Sequence, residues 1–299
     1  MRNSKKQHNL STFFVQSIDI DPDNWIVQNL NSALETWNEK LSEIWTLLSQ
    51  DPEKFKGGAI WDVMNTVNGV LKGIGYGLLV LFFAVGIVKT CGSFADMKKP
   101  EHALKAFIRF ALAQGAVKYG MELMTAIFSI VQGIVSTIMK KSGMTGGNVT
   151  QLPEAIVEKV ESVGMLESIP LWIVTLLGSL LITILSFIMI LTVYGRMFKL
   201  YMYTAIAPVP VATFAGEPTQ SIGKNFIRSY VGVCLEGAVI VLACIIFSAY
   251  AASPPAVGSV DMSAVTVVWE YIGELVFNLL ILVGAVKASD RIVKEMMGL

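Results

Sequence analysis

Residues 169–195, IPLWIVTLLGSLLITILSFIMILTVYG, decide the fold class, because these 27 residues contain no charged side chain. About 20 predominantly apolar residues are enough for a helix to cross the hydrocarbon core of a bilayer. The whole chain shares this bias, since 54% of its 299 residues are hydrophobic and 15% are charged. Soluble domains average about 25% charged residues. The sequence therefore predicts an integral membrane protein and argues against a soluble enzyme, a disordered chain or a disulfide-stapled secreted module.

Four more apolar stretches on either side predict further membrane-spanning helices and hence an all-α polytopic protein. The five predicted spans cover about residues 67–88, 119–139, 169–194, 230–252 and 264–286. Residues 200–216 are also uncharged, but Pro208 and Pro210 interrupt them, and proline breaks a helix interior. A broken, re-entrant segment fits this stretch better than a sixth span, because irregular backbone is tolerated at membrane depth where protein or water covers it.

The N-terminal segment, residues 1–60, contains a predicted amphipathic helix over residues 24–50, before a transmembrane domain over residues 61–299. Apolar residues recur every three or four positions in this helix and form one stripe, which includes Trp25, Trp37 and Trp45. The helix is too polar to span, so we expect it to lie on a membrane surface or on a partner protein. The three tryptophans are the candidates for partner docking, and packing within the chain is the alternative.

The distribution of basic residues predicts the orientation of the chain. With five spans, one set of connecting segments holds twelve Lys and Arg residues, including Arg196 and Lys199, and the opposite set holds three. Cytoplasmic loops carry the excess of Lys and Arg. We therefore expect the N-terminus outside and the C-terminus inside the cell.

The sequence contains no recognisable catalytic or metal-binding constellation. It lacks a nucleotide-binding P-loop, a nucleophile elbow and a zinc-protease motif. Its two histidines, His8 and His102, cannot supply the usual acid–base or metal sites, and its three cysteines, Cys91, Cys234 and Cys244, have no metal-ligand spacing. We expect a protein that is not an enzyme and has no cofactor or metal, with the cysteines as small buried apolar residues.

Carboxylates inside the predicted spans are the first candidates for a functional site. Glu236 lies two turns into its span, and Glu270 and Glu274 share a face near the start of the last span. Ionisable groups are costly in a membrane and usually face a bundle interior or water, so these three are candidates for lining a pathway. The alternative is a packing hydrogen bond or a position at the membrane interface.

Prolines and glycines mark two further features of the predicted membrane domain. Broken helices often line a transport path or act as gates, which makes Pro208 and Pro210 candidates for gating, with a kinked membrane helix as the alternative. The first span contains the G-x-x-x-G motif of Gly73 and Gly77. Small residues at this spacing let helices approach closely in lipid.

A resemblance to a known family rests on residues 196–214, RMFKLYMYTAIAPVPVATF. In this arginine, followed by small residues that lead into an Ala-Pro, and in its layout of about five spans, the chain resembles the TrbL-like polytopic inner-membrane channel subunits of type IV secretion and conjugation systems. The similarity covers about residues 60–295, and the compact form is more like the versions on conjugative elements of Gram-positive bacteria. The residues that match the family pattern are Arg196, Pro208 and Pro210, so Arg196 joins the two prolines as a candidate for lining or gating a pathway in the cytoplasmic membrane of a bacterium.

The resemblance implies a subunit that helps to pass single-stranded DNA with its bound relaxase, driven by separate ATPases of the secretion system. It also implies a homo-oligomer, because five helices enclose little space for a DNA strand. Two other functions remain open from the residues themselves. One is a small-solute or ion transporter that uses Glu236, Glu270 and Glu274, and the other is a membrane scaffold that docks a partner through the tryptophan stripe.

Overall fold

The computed structural model describes residues 25–90, 100–142, 150–162, 168–250 and 263–299, in which all regular structure is helical and no strand occurs. The all-α prediction is therefore confirmed. Short 3₁₀ turns lie at Pro52–Gly58 and Thr213–Ala215. The α-helices are α1 (Trp25–Ser49), α2 (Ala59–Thr90), α3 (Pro100–Lys118), α4 (Gly120–Lys141), α5 (Glu154–Glu161), α6 (Ser168–Ile206), α7 (Pro208–Ala212), α8 (Gln220–Tyr250) and α9 (Ala264–Met297).

Five helical stretches in the described part of the chain are long and apolar enough to cross a membrane. They are Pro52–Lys89, Gly120–Lys141, Ile169–Ile206, Gln220–Tyr250 and Ala264–Met297, and each overlaps one predicted span. This confirms the prediction of a polytopic membrane protein with about five spans.

The structure differs from the predicted pattern at the end of the third span. Helix α6 runs for 39 residues without a break and ends at Ile206. Arg196 and Lys199 therefore lie inside a helix rather than in a connecting loop. Residues 200–206 continue this helix because they contain no proline or glycine that would stop it. Only residues 208–215, from α7 to the following 3₁₀ turn, form the broken segment.

The chain divides into two compact units. The first comprises Met1–Glu35, Thr150–Thr183 and Pro255–Val276, and the second comprises Thr36–Val149, Ile184–Pro254 and Phe277–Leu299. In the first unit, the Ser179 hydroxyl donates a hydrogen bond to the Asn29 carbonyl over 3.0 Å. Gly178 of α6 lies so close to Ile272 of α9 that an added Cβ atom would approach its side chain to 2.6 Å.

Helix α1 buries its apolar stripe within the chain. The expected position on a membrane surface or a partner is therefore not what the structure shows. An amphipathic helix gains the same apolar burial from either neighbour, so the periodicity alone does not select one. The buried positions follow the three-and-four spacing and are Ile26, Val27, Leu30, Ala33, Leu34, Trp37, Leu41, Ile44, Trp45, Leu47 and Leu48.

The turn between α1 and α2 packs on α6 in the second unit. The Tyr201 hydroxyl donates a hydrogen bond to the Pro52 carbonyl over 2.8 Å, and the Phe55 ring meets the Tyr194 ring edge-on with centroids 5.7 Å apart. The Tyr194 hydroxyl also donates a hydrogen bond to Oε1 of Glu43. This hydrogen bond, together with the nearby Lys40 ammonium, lowers the pKa of the Glu43 carboxyl. The second half of α1 and the turn that follows it are thereby attached to α6.

The core of the second unit lies between α2, α3, α4, α6, α7 and α8. The Tyr230 hydroxyl of α8 donates a hydrogen bond to the Met124 carbonyl of α4 over 2.9 Å. Cys234 is buried in this core and is a free thiol, and Cys244 is likewise buried and free, as predicted. Cys91 lies outside the described residues. The other buried core positions include Leu79, Val117, Phe128, Leu200, Val211 and Phe226.

Close packing of α2 against the broken segment depends on glycine, but not on the predicted motif. A Cβ atom at Gly75 would lie 2.9 Å from the Pro208 carbonyl oxygen, and one at Gly86 would lie 3.0 Å from the Cα atom of Gly216. Gly73 and Gly77 have nothing within 4 Å of that position. The close-approach residue is therefore Gly75, between the two glycines of the motif.

Replacing Gly75 with alanine is expected to lower the free energy of unfolding by about 1–3 kcal/mol, because the added methyl group meets backbone that cannot move aside. The Gly73→Ala and Gly77→Ala variants are the matched controls. They are expected to be neutral or stabilising by up to about 1 kcal/mol, since alanine favours a helix interior over glycine. Denaturant titration of the purified protein in detergent micelles measures all three, and equal losses at Gly73 and Gly75 would contradict the packing described.

Candidate functional site

Helices α6, α8 and α9 bring polar side chains to one place in the second unit. On α6, Arg196, Lys199 and Tyr203 follow a three-and-four spacing that places them on one face. The same spacing places four residues on one face of α8, namely Ser229, Gly232, Val233 and Glu236. On α9 it places Asp290, Val293 and Lys294 on one face. We call Arg196, Lys199, Glu236, Asp290 and Lys294 the ionic cluster.

Arg196 is 2% exposed, so its guanidinium group lies entirely inside the chain. Its Nε donates a hydrogen bond to the Val233 carbonyl over 3.1 Å, and its Nη2 donates one to the Cys234 carbonyl over 3.2 Å. Both acceptors belong to the interior of α8, whose carbonyl oxygens have a second lone pair free for such a bond. Nη1 has no hydrogen-bond partner among the described residues. A buried charge is costly unless it is hydrogen-bonded, so the bonds that Nε and Nη2 form hold α6 and α8 together.

A glycine on α8 makes room for this guanidinium group. A Cβ atom at Gly237 would lie 2.6 Å from Cζ of Arg196. Real Cβ atoms do not approach other heavy atoms so closely. Because hydrogen bonds to two carbonyls fix the guanidinium group, a larger residue at this position would displace it from them.

The second half of the ionic cluster joins all three helices through Lys199. Its ammonium lies 2.9 Å from Oδ1 of Asp290 on α9 and 3.7 Å from Oε2 of Glu236 on α8. The Lys294 ammonium lies 2.8 Å from Oδ2 of the same Asp290. Glu236 is 2% exposed, and its Oε2 accepts no hydrogen bond from the described residues. Lys199 therefore binds Asp290 by a hydrogen bond and attracts Glu236 only at longer range.

A cavity of about 320 Å³ adjoins the ionic cluster. Charged side chains of both signs line it, together with the Tyr203 and Ser229 hydroxyl groups. Pockets for single small molecules begin at about 300 Å³. This volume suits one small ligand or a few water molecules. The lining residues are Lys199, Tyr203, Ser229, Gly232, Val233, Glu236, Asp290, Val293, Lys294 and Leu299.

The broken segment contains Pro208 and Pro210, as predicted, and its backbone finds a partner on α2. Proline has no N–H, so Pro208 leaves the carbonyl of Thr204, four residues earlier, without its helical donor. The Asn68 side-chain amide donates a hydrogen bond to this carbonyl over 2.8 Å and lies 3.3 Å from the Ala205 carbonyl. Asn68 is fully buried, so its amide replaces the donor that proline lacks.

The three predicted carboxylates belong to different units. Glu236 is buried in the second unit, whereas Glu270 and Glu274 belong to the first unit and are exposed on α9. The exposed pair lies one turn apart on the same helix face, as predicted. The ionic cluster thus contains Arg196 and Glu236 but neither of these two residues.

The tryptophan stripe is not an open docking surface in this structure. Trp37 is 0% exposed and Trp45 is 5% exposed. Their ring N–H groups have no hydrogen-bond partner among the described residues. The Trp25 side chain lies outside the described residues. A partner would have to displace other parts of the chain to reach the first two rings, so the predicted docking role gains no support from their positions.

Sequence reasoning missed Lys199, Asp290 and Asn68 as site residues. Lys199 follows Arg196 by three positions, which places both on one helix face, but charged residues next to an apolar run predict a connecting loop. Asp290 lies in the C-terminal stretch, whose basic residues predict a cytoplasmic segment and give no sign of a buried partner for an acidic residue. Asn68 is a single amide near the start of an apolar run, and a buried amide at such a position requires a polar partner.

The helices and the ionic cluster define an all-α multi-pass membrane protein in which charged residues connect three spans. The family model for TrbL/VirB6 plasmid conjugal transfer like proteins matches residues 37–208, more than half of the chain. The chain belongs to this family, which confirms the resemblance predicted from sequence. The matched range includes Arg196, Lys199 and Pro208 and ends before α8 and α9. No curated protein and no solved structure matches the chain.

Alanine at Gly237 is expected to destabilise the protein by about 1–3 kcal/mol, because the methyl group overlaps the fixed guanidinium group of Arg196. Gly195→Ala is the matched control, since Gly195 is adjacent to Arg196 in α6 and has nothing within 4 Å of its Cβ position. The control is expected to be neutral or stabilising by up to about 1 kcal/mol. Denaturant titration in micelles compares the two, and an unaffected Gly237→Ala protein would show that α8 does not pack on this arginine.

A double-mutant cycle tests whether Asn68 replaces the donor that Pro208 lacks. Asn68→Ala alone is expected to cost about 1–3 kcal/mol, because it leaves a buried carbonyl without a donor. In a Pro208→Ala background the new backbone N–H pairs with Thr204, so this cost should fall by about 1 kcal/mol or more. The free energies of unfolding of the four proteins give the coupling energy.

The matched control for this cycle combines Asn68→Ala with Pro210→Ala. Pro210 has no N–H to donate to the Ile206 carbonyl. Asn68 bonds to the carbonyls of Thr204 and Ala205 and not to that of Ile206. The two changes should therefore add within about 0.5 kcal/mol. Equal coupling to Pro208 and Pro210 would mean that Asn68 acts through general packing and would contradict the role assigned to it.

Proposed function

We propose that the chain is a channel or scaffold subunit of a conjugative type IV secretion machine and helps to translocate single-stranded DNA and protein across the cytoplasmic membrane. The observation that carries this proposal is the match to the TrbL/VirB6 conjugal transfer family over residues 37–208, on a chain with five membrane-crossing helices. Membership of this family makes the protein a component of a conjugal transfer machine with several subunits. The finer role, in the passage of DNA, is what we propose.

We further propose that the functional form is a homo-oligomer that works with the ATPases of the machine. A cavity of about 320 Å³ can hold one small ligand but cannot form a continuous path for a polymer. Only 17% of the most apolar part of the first span is buried within the chain, so its surface is free for lipid or for other copies. A path between copies would account for both observations.

Exposed carboxylates in the last span support a path of this kind. Glu270 and Glu274 lie on one face of α9 and are not covered by the chain itself. A carboxylate that faces lipid is costly, whereas one that faces water or a neighbouring protein is tolerated. We therefore propose that these two residues line a water-filled path between copies, in a protein oriented with its N-terminus outside and its C-terminus inside the membrane.

The ionic cluster and the broken segment are our candidates for gating. Lys199 lies within 4 Å of carboxylates on two different helices, so an exchange from Asp290 to Glu236 would move α6 and α8 together relative to α9. The break at Pro208 and Pro210 follows on the same helix and provides a point at which its end could bend. Arg196 would hold α6 and α8 together during such a movement.

In-frame deletion of the gene is expected to abolish transfer of a marked mobile element, because the membrane passage would lack a subunit. Complementation with the wild-type gene should restore transfer, and complementation with Glu270→Gln and Glu274→Gln together should restore it only in part. Transfer frequency per donor cell measures the outcome. An immunoblot of the membrane fraction serves as the control, since equal amounts of each protein are needed for the comparison.

A second candidate function, a small-solute or ion transporter, is favoured by one observation, the charged cavity beside Glu236. It predicts normal DNA transfer in the deletion strain. It also predicts solute or ion flux in proteoliposomes of the purified protein, and loss of this flux on Glu236→Gln. Normal transfer together with such flux would replace the conjugation proposal.

A further inference from the structure

A groove lies between α3 and the start of α8, away from the ionic cluster. Its volume is about 470 Å³, and the exposed face of α3 forms one of its sides. Two of the side chains that line it are cationic, and most of the others are apolar. The lining residues are Lys105, Ile108, Arg109, Leu112, Ala113, Ala116, Phe214 and Gln220.

The cations and the apolar residues are ordered along the groove. Lys105 and Arg109 are one turn apart on α3, and Leu112 and Ala116 continue the same stripe for two further turns. At a rise of 1.5 Å per residue, the apolar part extends about 10 Å beyond Arg109. The groove is therefore cationic at one end and apolar along the rest, which is the arrangement of an amphiphile with an anionic head.

The net positive charge at the cationic end of the groove favours the binding of an anion. Arg109 forms an ion pair with Glu217 over 3.2 Å, whereas Lys105 forms no ion pair with any residue that the structure describes. The local charge of these three residues is thus +1. Gln220 is the first residue of α8, and the positive end of the helix dipole points toward this region.

The exposed face of α3 indicates that the anion comes from the membrane. Leu104, Phe107 and Leu112 are between 62% and 70% exposed. Helix α3 is not among the stretches apolar enough to cross a membrane. A helix with exposed apolar side chains interspersed with cations is typical of the membrane interface, where lipid headgroups and acyl chains are both within reach.

We propose that this groove binds one anionic phospholipid of the surrounding membrane. Its phosphate lies between Lys105 and Arg109, and one acyl chain follows Ile108, Leu112 and Ala116 toward Phe214. Each cation forms a charge-assisted bond to the phosphate. Glu217 competes with the phosphate for Arg109. The site is independent of the proposed role in DNA transfer.

Native mass spectrometry of the full chain in detergent tests the proposal, with phosphatidylglycerol and phosphatidylcholine of equal chain length as probes. We expect one phosphatidylglycerol per chain, bound about tenfold more tightly than phosphatidylcholine. Lys105→Gln and Arg109→Gln should each weaken this binding about tenfold. Glu217→Gln should strengthen it, because Arg109 then has no competing carboxylate.

Two matched controls separate the site from general charge and from general disruption. Lys118→Gln removes a cation of the same helix that does not line the groove, so the affinity should not change. Ala116→Phe fills the apolar part and should abolish one-to-one binding, whereas Ala111→Phe adds the same ring on the exposed side of α3 and should not. If Ala116→Phe fails to fold, the affinities of the Lys105 and Glu217 variants decide the question.

Three results would overturn the proposal. The first is equal affinity for phosphatidylglycerol and phosphatidylcholine. The second is full competition by inorganic phosphate at equal concentration, which would show that the acyl chain contributes nothing. The third is preferential binding of a single-stranded oligonucleotide that depends on Lys105, which would make this surface a nucleic-acid contact.

Discussion

The buried guanidinium group of Arg196 is the constraint on which the arrangement of the second unit depends. A charge that is 2% exposed has to be satisfied by the protein, and here two carbonyls of α8 accept its hydrogen bonds. These contacts require close approach, which the absence of a side chain at Gly237 permits. Displacing the guanidinium group from these carbonyls would leave a buried charge unpaired, at a cost comparable to a large part of a protein's net stability. The register of α6 against α8 is therefore fixed by polar contacts in an otherwise apolar core.

The break at Pro208 imposes the same requirement on the backbone. Every carbonyl that a proline deprives of its helical donor needs another donor at membrane depth, where water is scarce. Asn68 supplies that donor from α2, and Gly75, two turns further along α2, lets the backbone of the broken segment approach. Asn68 and Gly75 thus bring α2 against the backbone on both sides of Pro208. At Arg196 and at Pro208, close helix contacts and the satisfaction of polar groups therefore occur together.

The sequence was sufficient to predict the helical spans, because hydropathy and length determine them directly. It was not sufficient to predict what covers α1, since an amphipathic stripe has the same pattern whether a membrane, a partner or the chain's own helices cover it. Gly73 and Gly77 matched a known motif, yet Gly75 makes the close contact, because the contacting face depends on the position of Pro208. The sequence predicts a loop at Lys199, because a charge beside an apolar run usually ends a span. Its partner Asp290 is 91 residues away, and no local pattern connects two such positions.

The ionic cluster joins the part of the chain that the family model matches to the two helices that follow it, α8 and α9. The matched range, residues 37–208, contains the arginine, the lysine and the first proline of the site. The groups that satisfy Arg196 and Lys199 lie outside it, on α8 and α9. A buried arginine without partners is strongly unfavourable, so the matched segment cannot fold into this arrangement alone. Helices α8 and α9 must therefore retain acceptors at these positions, and the carbonyls of Val233 and Cys234 meet this requirement whatever side chains accompany them. The acceptors for Lys199, in contrast, are the side-chain carboxylates of Glu236 and Asp290. A substitution at either position would therefore change the charge of the site.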